Sequence, residues 1–177
     1  MVEKINLSNK IWQIADEDLR SKLKASQYGE VILPFFVIKR LDSVLAQNKD
    51  KNEEAKSIAK KNKNLAPDLL EKLIYSKTHL SFYNLCEYNF DHIAGDPNNV
   101  LGNYNNYIEN FSSNIKELIQ NFALSTHIKT LDDDDLFWSV IQKFSELDMS
   151  PDNYSNEEIG TVYEDLLRRW SEMSNEE

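Results

Sequence analysis

The chain has 177 residues, 41% of them hydrophobic, which is enough apolar material for one domain with a real core and too much for a disordered segment. Its 20 Lys and Arg face 30 Asp and Glu, and the resulting net charge of −10 excludes a generic nucleic-acid coat, because phosphate binding needs local positive charge. The average conceals an asymmetry: residues 1–65 hold 13 Lys or Arg against 9 Asp or Glu, whereas residues 66–177 hold 7 against 21. Such polarity suits a module that touches DNA or another acidic surface with one end and stays solvated at the other. The longest apolar run, Val31 to Ile38, is far shorter than the roughly 20 residues that cross a bilayer, and it contains Pro34. The opening MVEKINLSNKIW has no apolar stretch followed by a small-residue cleavage site. The single cysteine, Cys86, has no partner for a disulfide or a CxxC zinc site and reads as core filler. Together these features point to a cytoplasmic protein without a membrane span.

Four glycines and four prolines punctuate a chain that otherwise reads at helical period, so an all-α, compact multi-helix domain without a substantial sheet is expected. The first helix is expected from Ser8, as N-cap, to about Ala25, with Ile11, Ala15, Leu19 and Leu23 on one face and Trp12 beside them. A second helix carries YGEVILPFFVIKRLD, Tyr28 to Asp42, with Pro34 in its first turn. It is apolar on all sides until Lys39, where it is expected to leave the core. Asn48 to Asn64, rich in Lys, Asn and Glu, reads as an exposed helix end or a mobile loop of weak order. Pro67 opens a helix through Tyr75, and the irregular aromatic stretch SFYNLCEYNF follows. Pro97 starts a helix through Phe111, and Ser112 or Ser113 caps another through Phe122. Thr130 with Asp133 forms a capping signature before a helix bearing Leu136, Phe137, Val140, Ile141, Phe144 and Leu147. The last helix starts with the capping box Ser155-Asn-Glu-Glu158, followed by a stripe of Ile159, Val162, Tyr163, Leu166, Leu167 and Trp170. No internal repeat is visible.

Catalytic chemistry finds little support in the residues. His79, His92 and His127 are too dispersed for a helical metal pair, and nothing around them supplies carboxylates at ligand spacing. The run Asp132 to Asp135 lacks the alternation, the glycine and the terminal Glu of a calcium loop, and reads as carboxylates in a first helical turn. Glycines at 29, 95, 102 and 160 are too scattered to form a loop that brings backbone against a phosphate. No GxSxG nucleophile motif occurs. The residues alone therefore describe a helical domain with no catalytic, cofactor-binding or metal site.

IWQIADEDLR and SQYGEVILPFFVIKRLDSVL together resemble the start of the modification (M) subunit of type I restriction-modification systems. In matching order follow SFYN at 81–84, FDHIAGDPNNV at 90–100, YIENFSSNIKEL at 107–118, FSELDMSPDNYSNEEIGTVYEDLLRRW at 144–170 and the terminal SNEE, with 48–64 the least typical part. The resemblance implies an N-terminal helical domain over 1–177 that precedes a methyltransferase domain using S-adenosylmethionine to methylate adenine at N6. It also implies a second M subunit, a specificity subunit that reads double-stranded DNA, and a restriction subunit as partners. The family's Asn-Pro-Pro-aromatic signature is absent, the nearest string being Asp96-Pro97-Asn98-Asn99, and so is its glycine-rich cofactor motif. Residues 1–177 are therefore expected to be inert alone, with no cofactor of their own and the catalytic domain expected after residue 177. Their implied role is subunit assembly and DNA clamping, with Lys22, Lys24, Lys39 and Arg40 as the DNA- or partner-contacting residues. An ion pair of Arg40 with Asp18 or Asp42 is the internal alternative for the basic end. From another functional class, a stand-alone helical adaptor fits the same composition.

Overall fold

In a computed structural model describing residues 2–176, the chain folds into ten α-helices, with no strand among the described residues. Met1 and Glu177, the outermost residues of the expected domain, lie outside the described residues. The helices are α1 (Val2–Ile14), α2 (Tyr28–Gln47), α3 (Lys49–Lys61), α4 (Pro67–Thr78), α5 (Phe90–Ala94), α6 (Val100–Glu109), α7 (Ser113–Gln120), α8 (Ile128–Asp132), α9 (Leu136–Ser145) and α10 (Asn156–Glu176). The all-α expectation holds.

Helix α2 is the axis of the main core. Val31, Ile32, Leu33, Pro34, Phe35 and Phe36 are all buried, and six successive residues at 100° intervals are covered only if neighbours stand on every side. Those neighbours are α9, α10, the turns at Ala15–Leu19 and Ala123–Thr126, and Tyr104 of α6. The Phe35 ring meets Tyr104, Phe137 and Phe144, with centroids 6.0, 5.9 and 5.7 Å away, while Phe36 lies 6.0 Å from Tyr163. Pro34 sits in the second turn and not the first. The helix is already formed at Tyr28, six residues before the proline, and the Glu30 carbonyl therefore lacks its partner amide at Pro34. Gly29 is required by this close approach: a Cβ there would overlap the Trp170 ring, whose indole N–H donates to the Ser26 carbonyl.

The first helix also departs from its expected bounds. It is already helical at Val2, so Ser8 is no cap; it is buried within α1, and its hydroxyl donates to Asp165 on α10. Beyond Ile14 the helix widens into one π-helical turn, Ala15–Leu19, which buries Asp18 and turns it toward α9. There Asp18 accepts from the Ser139 hydroxyl at 3.0 Å and from Lys143 at 2.8 Å. The expected core spacing survives, with Ile11, Ala15 and Leu19 fully buried.

Residues 49–61 are not weakly ordered. They form α3, whose Ala55, Ile58 and Ala59 pack with Ile74, Tyr83, Leu70 and Tyr75 in a second small core set apart from the main one. Alanine at the contact lets the backbones of α3 and α4 approach, and Ala55 is fully buried there. Thr130 lies inside α8 and not at a cap, and the acidic run spans the α8–α9 junction, where Asp135 turns the chain at φ 59° directly before α9. The expected helix from Pro97 is a 3₁₀ turn at Pro97–Asn99 continued by α6. The capping box of α10 forms as read, with the Ser155 and Glu158 side chains accepting from each other's amides at 3.1 and 3.2 Å. Behind it Val162 and Leu166 are buried, while Leu167 faces outward.

Two substitutions test this packing. Phe36→Ala removes a ring 1% exposed and is expected to cost about 3–5 kcal/mol in chemical denaturation; an unchanged midpoint would place the core elsewhere. Gly29→Ala, which gains up to about 1 kcal/mol of helix propensity in open space, is expected to destabilise here, and to become neutral or stabilising in a Trp170→Ala background.

Candidate functional site

The four basic residues singled out in the sequence do not form one surface. Lys39 and Arg40 are 7% and 8% exposed, so α2 does not leave the core at this point. Lys39 donates to the Ser145 carbonyl at 3.3 Å, at the C-terminal end of α9, where a cation also favours the helix dipole. Its ammonium lies 5.7 Å from the centre of the Phe90 ring. Arg40 donates to the Met149 carbonyl at 2.9 Å and to the Asn156 side chain at 3.0 Å, fixing the connection between α9 and α10. Its partners are thus neutral oxygens and neither Asp18 nor Asp42. Burial depresses its guanidinium pKa somewhat. With their donors turned inward, both residues act as internal clamps on the α9–α10 connection. Lys22 is exposed but ion-paired with Asp134 at 2.6 Å, and Lys24 is exposed at the turn before α2.

A different site lies on the other side of Arg40. Asp42, Leu45, Ala46 and Lys49 follow each other at helical spacing from α2 into α3, and with Asn52, Glu53 and Lys56 they make one wall of a cleft of about 520 Å³. The facing wall is the irregular 84–89 segment, and Tyr107 of α6 closes the floor. This segment holds its shape because Asn84 engages every polar group it has. Its amide donates to Asn52 Oδ1 at 3.1 Å, its carbonyl accepts from Asn52 at 3.0 Å, its side-chain amide donates to the Tyr107 carbonyl at 3.0 Å, and its Oδ1 accepts from the Cys86 amide at 2.8 Å. An isolated antiparallel bridge to Phe111 adds to this.

At the floor, Asp42 Oδ1 accepts from the Tyr107 hydroxyl at 2.7 Å and from the Phe90 amide at 3.1 Å. Burial pushes the Asp42 carboxyl above the usual carboxylate range, against the opposing effect of these two donors and of Lys39. Burial and the adjacent carboxylate push the Tyr107 phenol well above its ordinary value. The Tyr107 hydroxyl and the Asp42 carboxyl thus form a fixed hydrogen-bonded unit at the floor of the cleft. At the rim, Tyr88 and His92 stack at 4.5 Å with an interplanar angle of 25°. Asp42 entered the sequence reading only as a possible counter-ion for Arg40. Its position one turn beyond an all-buried helix was the available sign that its carboxylate is partly desolvated.

The sign of the Asp42 contribution follows from linkage. Below the ordinary carboxylate pKa both folded and unfolded chains hold the proton; as pH rises, the unfolded chain releases it first, so the native state binds more protons and loses stability. Asn at 42 keeps an acceptor for Tyr107 and Phe90 but has no proton to release. The melting temperature of Asp42→Asn is therefore expected to gain on the parent as pH rises through the ordinary aspartate pKa of about 4, and the difference to become constant once the native carboxyl has also ionised. A difference independent of pH would show that the carboxylate titrates normally.

No group of three or more His, Cys, Asp or Glu side chains is arranged to hold a metal ion among the described residues, and no helix among them is long and apolar enough to cross a membrane. Comparison with curated proteins and with solved structures returned no match. The family model described as HsdM N-terminal domain matches residues 7–144, which take in α2, the α3–α4 hairpin, the cleft and all of α9 but its last residue. An all-α chain built around this α2 and matched over most of its length belongs to the HsdM N-terminal domain family, the N-terminal domain of type I restriction-modification M subunits.

Proposed function

We propose that this domain supports assembly of a type I modification enzyme and helps close it around double-stranded DNA. It would pack against an S-adenosylmethionine-dependent adenine-N6 methyltransferase domain, a specificity subunit, a second M subunit and, in the restricting form, a restriction subunit. Family membership supports the setting. The single observation that carries the DNA-facing role is the charge of the α3–α4 hairpin. Residues 49–78 hold 8 Lys against 5 Asp or Glu, whereas the rest of the chain holds 12 Lys or Arg against 25 acids. The hairpin stands on its own small core, and its turn exposes Lys61 and Lys63 with no ion pair to either among the described residues. The basic asymmetry of the N-terminal part thus lies mainly on this arm. Lys24 remains a secondary candidate on the exposed surface, and Lys22 would have to give up Asp134 first.

The same turn exposes Leu65 and Leu69, at 37% and 55%, and this observation favours a second reading in which the arm docks on a protein surface. Both readings are separated by Lys61→Gln/Lys63→Gln in the assembled methyltransferase, with Lys22→Gln/Lys24→Gln as a parallel pair. Phosphate contact predicts equal weakening on target and non-target DNA, and a salt slope lower by about one unit per lost contact. Protein docking predicts a lower yield of assembled enzyme with unchanged salt dependence. Normal assembly with unchanged affinity and slope would remove the arm from both roles.

A further inference from the structure

Three features of the cleft are unused by anything described above. The first is Asp42 Oδ2. Both donors to this carboxylate bind Oδ1, and every buried side-chain nitrogen or oxygen among the described residues has a partner, so Oδ2, which has none among them, is open to solvent through the cleft that Asp42 lines. The second is the exposed His92 ring, stacked by one face on the half-buried Tyr88, with its other face left for a further plane. Tyr88 is itself held by its hydroxyl, which donates to the Asn103 carbonyl and accepts from Asn106, both at 3.0 Å. The third is Lys49. The neighbouring lysines Lys56 and Lys60 are paired with Glu53 and Glu87, each at 3.0 Å, but Lys49 makes no ion pair among the described residues.

We propose that this cleft binds a nucleotide, with the base stacked on His92, its exocyclic amine donating to Asp42 Oδ2, and its phosphate at Lys49. The volume of about 520 Å³ is within the range of small-molecule sites. Asp42 on α2 and Lys49, which opens α3 just past the cap at Asn48, stand at different positions along one wall of the cleft, so one ligand can present a donor to the first and an anion to the second. A purely cationic ligand such as a guanidinium would satisfy Asp42 but meet Lys49 as a like charge. A ligand that is a flat donor at one end and an anion at the other uses all three features. The carboxylate is already held by Tyr107 and Phe90, so binding need not order it. The site is independent of the α3–α4 turn proposed to face DNA, and the two readings fail separately.

The test is calorimetric titration of AMP and UMP into the chain and into three variants, with folding of each followed by circular dichroism. AMP is expected to bind saturably and more tightly than UMP. His92→Ala and Lys49→Ala, both at exposed positions, are expected to weaken AMP by about tenfold each, the usual scale for loss of a base stack or a phosphate contact. Asp42→Asn places an amide donor where Oδ2 accepts, and is expected to shift preference from AMP toward UMP, a change of specificity that a purely structural role for Asp42 would not produce. A short single-stranded adenine oligonucleotide, run alongside, separates the two sources. Saturable AMP binding assigns the site to free nucleotide, while binding of the oligonucleotide alone, still weakened by His92→Ala, assigns it to a nucleotide within a strand. Absence of saturable binding by both probes, or affinities unchanged in all three variants, overturns the proposal.

Discussion

The main core of this domain is arranged around the requirement that α2 be covered on all sides. A helix with one apolar stripe needs one neighbour; six consecutive buried residues need a ring of them. Each fully buried Leu, Ile, Val or Phe is worth about 1.5–3 kcal/mol relative to exposure, so the run from Val31 to Ile38 is a large local source of stability. Helices distant in sequence are thereby drawn together. Helix α9 meets Phe35 through Phe137 and Phe144, and α10 meets Phe36 through Tyr163 and Gly29 through Trp170. At Gly29 the α10 ring rests on backbone and leaves no room for a Cβ.

The same constraint explains the fate of the polar residues that end the run. Surrounded before the helix is over, Lys39 and Arg40 cannot reach water with their full donor sets, and burying a charge without partners is costly. They are satisfied by the Ser145 carbonyl, which a helix C-terminus leaves without an amide partner, and by the Met149 carbonyl and the Asn156 side chain in the connection to α10. Asp42, one turn on, is satisfied by Tyr107 and the Phe90 amide at one oxygen only. Two clamps and one half-used carboxylate thus arise from a single cause. On one side of α2 they lock the α9–α10 connection, and on the other they leave a polar cleft with a fixed acceptor at its floor.

The hairpin of α3 and α4 rests on a different balance. Its apolar complement is small, concentrated in Ala55, Ile74 and Tyr83, and its lysines remain at the surface. It is joined to the rest by hydrogen bonds through Asn52 and the 83–85 segment and, from α4, through Glu71 with Ser113 and Tyr75 with Asn114. Charge and core are therefore partitioned in the same way. The acidic body contains the main core, and the comparatively basic arm contains the minor one.

Some of this was determined by the sequence alone. The helical period, the scarcity of glycine and proline, the capping box at Ser155 and Glu158, and the all-round apolar character of Val31 to Ile38 each depend on residues within one or two turns of each other, and local energetics suffices to read them. The ordered similarity from Ile11 onward likewise pointed to the family. Other features were decided only by the tertiary structure. Ser8 is interior to its helix because Asp165 lies across from it, and α3 is ordered because α4 covers Ala55. Lys39 and Arg40, which any charge count places at a surface, are inside because α9 and α10 close over them, and the cleft around Asp42 exists only where α2, α3, α6 and the 84–89 segment meet. The physical reason is common to all of these: burial of a charge and the covering of a helix face depend on what arrives from far along the chain, and no window of neighbouring residues contains that information.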